Sequence, residues 1–350
     1  IVVSDWSSDV CSSDLENNRQ NRQTKKRGIM KKAYAPPFTI TPVILALVSE
    51  ISELVGKMSA METMVATPKL RKENFVKTIT GTLEIEGNTL GVEKITAIMD
   101  GKRVLGSARE IAEVKGAIAV YENLKKLNYK KESSLLTAHK ILMDEILKDA
   151  GSYRKIQVGV GGKSGVTHIA PPSDRVPQLM GELFGWLAST TEHPLIVSSV
   201  FHFEFEFIHP FADGNGRIGR LWQTLILSNW KEFFAFVPIE SVVRERQKEY
   251  YKALEDAGST GESTPFVEFK LMAILSACKE MEKSNQKSNQ KSNQKILSLI
   301  AENPKITIAE LVAVTGLSES GVKKVIAKLK NEGKLSRVGS LKGGEWVITK

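Results

Sequence analysis

The twelve residues 209–220, HPFADGNGRIGR, concentrate the groups that phosphate chemistry needs. Gly214 and Gly216 flank Asn215, so the backbone there can adopt positive φ and turn successive N–H groups toward one point. We expect a helix to begin near Asn215, with its N-terminal amides and the positive end of its dipole facing the same point. The pattern therefore predicts an anion site built from main-chain N–H groups.

Charged side chains surround this predicted anion site. Arg217 and Arg220 are three residues apart, hence on one helical face, and their planar guanidinium groups suit phosphate oxygens. Asp213 offers a hard oxygen ligand for a Mg²⁺ ion that bridges a polyphosphate. His209 can act as a base near neutral pH, and Pro210 keeps it outside a regular helix. Together these residues predict group transfer from a nucleoside triphosphate.

The same stretch resembles the signature of the Fic family, His-Pro-Phe-x-Asp/Glu-Gly-Asn-Gly-Arg-x-x-Arg. Every specified position is present: His209, Pro210, Phe211, Asp213, Gly214, Asn215, Gly216, Arg217 and Arg220. The resemblance implies transfer of AMP from ATP to a Tyr, Thr or Ser hydroxyl of a target protein. His209 would deprotonate that hydroxyl, Asp213 would hold Mg²⁺, and residues 214–216 would cradle the phosphates. The two arginines would bind the leaving pyrophosphate. Doc-type phosphotransferases have Lys where this chain has Gly216, which favours AMP transfer.

A second short motif lies far upstream, in the segment TLEIEGNTL. Its residues Thr82, Glu86, Gly87 and Asn88 resemble the inhibitory motif of Fic proteins, Ser/Thr-x-x-x-Glu-Gly/Asn. Thr82 and Glu86 are one helical turn apart, and Gly87 with Asn88 makes a suitable helix end. The resemblance implies that Glu86 pairs with Arg220 and places a negative charge where the γ-phosphate of ATP should lie. An ordinary helix end with an exposed glutamate is the alternative interpretation.

Much of the chain fits the same family, whose fold is mainly α: a helical bundle with a β-hairpin flap. Residues 30–100 resemble its N-terminal helical module, which would carry the inhibitory helix, and residues 101–282 resemble its catalytic core. Within residues 151–180, β-prone residues precede a Gly-rich turn, which predicts the flap. In the family the flap docks an extended target segment by strand addition. Tyr250 and Tyr251 follow on a predicted helix, where they either line the adenine pocket or pack in the core.

For residues 201–207, hydrophobic periodicity and the family resemblance predict different secondary structure. Phenylalanines alternate there with polar residues, and this period of two by itself indicates a half-buried strand. The family places a helix at this point, and we expect the helix. His139, His193 and His202 have no partner at the spacing of metal ligands, so we interpret them as structural.

The C-terminal part is predicted to be a separate unit. Residues 283–294 are three copies of KSNQ, a polar repeat with nothing to bury, which indicates a linker or a fraying helix end. Residues 295–350 pattern as three helices and two short strands, with Ser318 as an N-cap and Gly316 and Gly333 as terminators. This order resembles a winged helix-turn-helix, a small α+β domain.

The charge distribution predicts a nucleic-acid partner for this tail. Residues 295–350 carry ten Lys or Arg against five Asp or Glu, and the KSNQ repeat adds three positive charges, out of a net +9 for the chain. We expect DNA binding, mainly to phosphates. The candidate contacts are four lysines of the third helix: Lys323, Lys324, Lys328 and Lys330. The alternative is a solvated helix on a protein-interaction or dimerisation module.

The first residues and the cysteines bear on the cellular setting. Residues 1–29 are polar and patternless, and their segment DWSSDVCSSDL resembles a translated sequencing adapter, so we expect them to be artefactual or disordered and Met30 to be the start. Beyond them Cys278 is the single cysteine, which predicts no disulfide framework and fits a reducing cytoplasm. No apolar run is long enough to span a bilayer, so no membrane partner is expected. Because relatives often self-associate, a homodimer is among the expected assemblies.

Three functions from different classes remain open. The first is an autoinhibited protein adenylyltransferase with a DNA-binding tail. The second is a transcription regulator whose Fic core senses ATP, although a pure sensor need not keep His209. The third is a Fic enzyme that removes AMP, or that transfers another nucleotide or phosphate, since related sites run different reactions.

Overall fold

The computed structural model describes residues 34–60, 68–162, 165–339 and 343–349. The residues predicted to be a leader, 1–29, lie outside this described part. Residues 36–350 form one compact unit. Most of it is helical, as predicted.

The helices of the N-terminal module and the core follow one another along the chain. They are α1 (Pro42–Ala60), α2 (Pro68–Ile85), α3 (Gly91–Met99), α4 (Ala108–Glu122), α5 (Glu132–Met143), α6 (Val176–Ser189), α7 (Pro194–Ile208), α8 (Asn215–Trp230), α9 (Ile239–Glu245), α10 (Gln247–Thr260) and α11 (Thr264–Glu302). Between α5 and α6 the antiparallel strands β1 (Gly159–Gly162) and β2 (Gly165–Ile169) form a hairpin where the flap is predicted. Among the described residues, Gly162 pairs with Gly165 at its tip.

Helix α7 lies at the centre of the core and is helical, as the family resemblance predicts. Phe201 and Phe205 are completely buried, and Phe203 is 4% exposed. Because the helix is covered on nearly every side, apolar residues at a period of two do not indicate a strand here. The Phe201 ring stacks on Trp222 of α8, with 6.4 Å between the ring centroids. This contact packs α7 against α8, the two helices that flank the signature loop.

Helix α2 is held against the core by an unusually close approach to α9. A Cβ atom at Gly81 would lie 2.7 Å from the main-chain carbonyl carbon of Glu240, so only glycine allows this spacing. Ile79 and Leu83 of α2 are fully buried on either side of it. The contact fixes the last turn of α2, which carries the predicted inhibitory motif.

Helix α11 is 39 residues long and includes all three KSNQ copies. The sequence left a linker and a helix end as alternatives for residues 283–294, and the structure has continuous helix. The repeat contains no Pro or Gly to stop the i→i−4 hydrogen bonds. Both ends of α11 are anchored, since Phe266 packs in the core and Ile300 is buried in the C-terminal domain.

The C-terminal domain has the winged helix-turn-helix order, as predicted. After α11 come α12 (Ile308–Thr315), α13 (Glu319–Asn331) and the antiparallel strands β3 (Leu335–Val338) and β4 (Glu345–Ile348). Ser318 caps α13 by accepting a hydrogen bond from Gly321 N, and Gly316 and Gly333 have positive φ at the predicted helix ends. A small core packs α11, α12 and α13 against Trp346 of β4. The connection between β3 and β4 includes residues 340–342, which lie outside the described part.

Within the described residues, no helix combines the length and the apolar character needed to span a membrane.

Candidate active site

The signature motif forms a tight loop between α7 and α8. His209 is the C-cap of α7 and has left-handed backbone angles, φ 50 and ψ 60. Gly214 precedes α8 with φ 87, a value that suits glycine. The side chain of Asn215 spans the loop, since its Oδ1 accepts from Phe211 N and its Nδ2 donates to Phe211 O, both at 2.9 Å. The loop is therefore fixed by its own residues, and α8 begins at Asn215 as predicted.

A buried histidine supports this loop from α5. Gly151 N donates to His139 Nδ1 at 2.8 Å, so the neutral ring carries its proton on Nε2, which lies 3.0 Å from the carbonyl oxygen of Asp213. The ring stacks on Phe211 with 3.7 Å between centroids. Burial lowers the pKa of His139 to about 4. His139 is thus structural, as interpreted, and it positions the main chain of Asp213.

The predicted anion site faces the predicted inhibitory residue. A Cβ atom at Gly216 would collide with a carboxylate oxygen of Glu86 and would lie 3.0 Å from Arg220 Nη1. Arg220 Nη2 donates to Glu86 Oε1 at 2.5 Å, and Arg220 Nε donates to Thr82 Oγ1 at 2.9 Å. The guanidinium is 1% exposed and the Glu86 side chain 30%. Although burial opposes its charge, Glu86 raises the pKa of Arg220 above its ordinary value. A carboxylate therefore occupies the N-terminal turn of α8.

A second cluster of charges holds Asp213. Arg217 Nη2 donates to Asp213 Oδ1 at 2.9 Å, and Arg109 of α4 donates to Asp213 Oδ2 at 2.6 Å. Both arginines also contact Glu113, with Oε1 at 3.4 Å from Arg217 Nη1 and 3.3 Å from Arg109 Nε. Asn88 Nδ2 donates to the other oxygen of Glu113 at 2.9 Å. The inhibitory motif and the signature motif therefore share Glu113.

The His209 ring lies beside a buried carboxyl group. Glu206 Oε2 is 4.0 Å from His209 Nδ1, and Glu206 Oε1 is 3.5 Å from Nε2 of the buried His202. Burial raises the pKa of Glu206 to about 8, and the nearby Glu86 adds to the shift. At neutral pH this carboxyl is therefore mainly protonated.

Comparisons with known proteins agree with this geometry. A model of the Fic/DOC family matches residues 129–227, and a model of winged helix-turn-helix DNA-binding domains matches residues 290–335. The crystal structure of a Fic family protein from Desulfovibrio desulfuricans G20 is 43% identical, with a TM-score of 0.71, over 90% of this chain and 98% of that one. The chain belongs to the Fic family.

Curated Fic proteins are similar over a shorter span. Protein adenylyltransferase Fic of Culex quinquefasciatus is 29% identical over 212 residues, which are 57% of this chain and 40% of that protein. Protein adenylyltransferase fic-1 of Caenorhabditis briggsae is 28% identical over 240 residues, which are 64% and 44% of the two chains. This chain thus spans less than half the length of these relatives. A solved structure of Fic-1 from C. elegans, 23% identical with a TM-score of 0.57 over 80% of each chain, shares the fold.

The two tyrosines of this Fic core take different positions. Tyr250 is 2% exposed, and its hydroxyl lies 3.3 Å from His202 Nε2, so it packs in the core behind Arg220. Tyr251 is 49% exposed and its hydroxyl donates to the carbonyl oxygen of Ile85 at 3.4 Å. Tyr251 therefore touches the end of the helix that carries Glu86. A role for either tyrosine at adenine stays a prediction.

All four lysines predicted to meet DNA are exposed on α13. Lys323 pairs with Glu319 at 2.6 Å and Lys328 with Glu332 at 3.8 Å, each one turn away on the same helix or at its end. The structure thus places all four lysines on the exposed part of the helix that follows the turn.

Sequence reasoning missed three residues that complete the site: Arg109, Glu113 and Arg154. Arg109 and Glu113 are one turn apart on α4, whose start is marked by a capping box between Ser107 and Glu110. That spacing indicates an ion pair between Arg109 and Glu113, but it does not indicate their contacts with the Asp213 cluster. Arg154 is buried and donates to the main chain of the signature loop.

Proposed function

We propose that this Fic protein is an autoinhibited protein adenylyltransferase that moves AMP from ATP to a Tyr, Thr or Ser hydroxyl of a target protein. The observation that carries the proposal is the Glu86 carboxylate, which pairs with Arg220 and lies against Gly216 in the anion site. The relatives called protein adenylyltransferase support the same reaction. The target itself would dock as an extended segment along the flap hairpin.

In the proposed reaction His209 accepts the proton of the incoming hydroxyl. The hydroxyl oxygen forms a bond to the α-phosphorus, the bond from that phosphorus to the bridging oxygen breaks, and pyrophosphate leaves. The N–H groups at the start of α8 and the guanidinium of Arg220 stabilise the phosphate charge. Positioning and charge stabilisation account for most of the rate in such transfers.

Asp213 is the residue that would hold Mg²⁺. Its side chain is 32% exposed, and one of its oxygens faces Arg109, which is 62% exposed and so can move aside. Protein Mg²⁺ sites commonly use one or two carboxylates together with substrate phosphates, and Asp213 beside the anion site fits that donor set. The ion, when bound, would neutralise charge on the triphosphate.

Inhibition follows from the position of Glu86. While its carboxylate is in place, Arg220 is engaged and the γ-phosphate of ATP meets a like charge. Glu86 is partly exposed, so water can solvate it on release, and we expect release to cost roughly 1–3 kcal/mol, between the values for exposed and buried pairs. Such a cost is small enough for a regulator to reverse.

The reaction class is tested with ATP labelled at the α- or the γ-phosphate, in the presence of Mg²⁺ and a cell lysate. The Glu86→Gly variant should incorporate α-label into protein, and Glu86→Gly/His209→Ala should not. Incorporation of γ-label would indicate phosphate transfer instead. If the Glu86→Gly variant incorporates neither label, the transferase proposal is wrong, and the alternatives of AMP removal or ATP sensing become the better account.

We further propose that the winged domain binds DNA through α13. Four exposed lysines on the helix that follows the turn favour this function, since phosphate contacts dominate non-specific affinity. The test is binding of random-sequence duplex DNA by the full chain at about 50 and 200 mM salt, a range over which four phosphate contacts should lose roughly 10² in affinity. Binding that does not depend on salt would contradict the proposal.

A further inference from the structure

Arg154 is a buried arginine outside the signature motif, 4% exposed, in the segment between α5 and the flap. Its Nε donates to the carbonyl oxygen of His209 at 2.8 Å and its Nη2 lies 3.4 Å from that of Ile208. Its main-chain N–H donates to the carbonyl oxygen of Pro210 at 2.9 Å. Carbonyls at the end of a helix lack intrahelical partners, and His209 has an unfavourable left-handed backbone. Arg154 therefore stabilises the main-chain conformation that presents His209.

The same guanidinium also contacts both ends of the flap. Arg154 Nη1 donates to the carbonyl oxygen of Ile156 at 2.8 Å, three residues before β1. Its Nη2 donates to that of Pro171 at 2.5 Å, two residues after β2. The base of the hairpin is closed by Ala170 N, which donates to Val158 O at 3.3 Å. One planar group thus joins the catalytic loop to the two strands of the flap.

We propose that Arg154 is a positioning residue that sets the distance between His209 and a target segment docked on the flap. The inference rests on the proposed function. A guanidinium offers five donors in a fixed plane, and among the described residues its acceptors are all neutral main-chain carbonyls. Burying a cation on neutral acceptors is costly unless geometry requires it. Here the geometry requires a planar group whose donors reach three separate segments, at the carbonyl oxygens of His209, Ile156 and Pro171.

The proposal separates transfer from nucleotide binding. The anion site is built by residues 214–220, and its loop is held by Asn215 and His139, which Arg154 does not contact in the described part. Loss of the Arg154 fork should therefore misplace the base and the target hydroxyl and leave the phosphate contacts in place. Misplacement by about 1 Å can lower a rate by about 10².

The test compares Arg154→Lys and Arg154→Ala in the Glu86→Gly background. We expect kcat/KM for target labelling to fall by about 10², with the affinity for a non-hydrolysable ATP analogue within about twofold of the parent. Hydrogen exchange of amides in residues 156–171 and 206–210 should accelerate together, while that of 214–220 stays unchanged. Added methylguanidinium should restore part of the activity of Arg154→Ala. The control is Arg175→Lys, an exposed arginine beside the flap.

Each outcome has a definite meaning. If Arg154→Lys keeps the parental labelling rate and exchange pattern, or if ATP affinity and labelling fall together without rescue by methylguanidinium, the proposal is wrong. The rescue compares one sample with and without the added cation, so it does not depend on equal folding of two variants. A Glu86→Gly parent that labels no target overturns the proposed function and the positioning role of Arg154 with it. If the parent labels target and the Arg154 variants label it equally fast, this inference alone is overturned.

Discussion

Helices α8 and α13 both present pairs of cations, and they hold them in opposite ways. Arg217 and Arg220 of α8 are 3% and 1% exposed, and each pairs with a glutamate from another helix or its end, Glu113 and Glu86; Arg217 also pairs with Asp213 of the preceding loop. Lys323 and Lys328 of α13 are more than half exposed and pair with glutamates one turn away. Surface pairs at this spacing contribute about 0.3–0.5 kcal/mol and weaken with salt.

Because of this difference, the two helices suit different ligands. Buried arginines with fixed partners suit one triphosphate in one orientation, and under the proposed function they are blocked when the Glu86 carboxylate takes the place of phosphate. Exposed lysines with weak local partners can exchange them for any phosphate backbone. The first arrangement suits chemistry and the second suits attachment, so changes in one helix should leave the other unaffected.

The largest expected effect is on transfer alone. In the Glu86→Gly background, His209→Ala should lower the rate of AMP transfer by about 10²–10⁴, because the general base is lost. Affinity for duplex DNA should not change, since His209 belongs to the other region. Measuring both quantities on the same preparations tests the comparison, and a variant that transfers AMP within threefold of its parent would contradict the role of His209.

The next effect concerns acid stability of the signature loop. The pKa of His139 is lowered to about 4 by burial, while the unfolded chain has the ordinary value near 6.5. Between these values the unfolded state binds a proton that the folded state does not, so stability falls as the pH drops through this window, by up to about 3 kcal/mol. Denaturant unfolding at pH 7 and pH 5 measures it. His139→Gln should be less stable at pH 7 and should show a smaller pH dependence; an unchanged dependence would assign the effect to other groups.

A smaller effect is expected for a single lysine of α13. Lys330→Ala should weaken binding to all duplex sequences by a similar few-fold factor and reduce the slope of log affinity against log salt by about one. AMP transfer by the Glu86→Gly form should be unaffected. Lys252→Ala is the matched control, an exposed lysine of α10 that pairs with Asp256. An equal loss in both variants would mean that α13 is not the binding surface.

The smallest effect is expected from removing the exposed carboxylate partner of one α13 lysine. Glu319→Gln removes the partner of Lys323, and we expect no measurable change in the midpoint of thermal unfolding, because an exposed pair contributes little. DNA affinity should rise by about two- to threefold, because a competing negative charge is gone. Thermal unfolding and a binding titration at low salt measure the two effects. A clear fall in the midpoint of thermal unfolding would show that the surface pair is not weak.

The sequence predicts most of the signature site because its chemistry is local. Asn215, Gly216 and Arg220 lie within two turns of one helix, so their spacing alone brings them together. The pairing of Glu86 with Arg220 came from family resemblance, and the structure contains that contact. Nothing in the sequence pointed to Arg109 or Arg154, whose partners lie 104 and 55 residues away at Asp213 and His209. Such contacts depend on the packing of whole helices.

The sequence also does not predict the direction in which a side chain points. The helix of Tyr250 and Tyr251 was predicted, but apolar periodicity does not tell which neighbour a buried ring meets. Periodicity also does not predict the helix through the KSNQ repeat. Its polar residues bury little, yet they are helical because the packed ends at Phe266 and Ile300 hold α11 continuous.

The most direct test of the account is the initial rate of α-label incorporation by three proteins: wild type, Glu86→Gly and Glu84→Gly. Glu84 is the matched control, a carboxylate in the last turn of α2, two residues before Glu86, that pairs with Arg244. If the Glu86 carboxylate blocks the phosphate site, Glu86→Gly should label target at least tenfold faster than the other two. Equal rates in wild type and Glu86→Gly, or activation by Glu84→Gly as well, would contradict it.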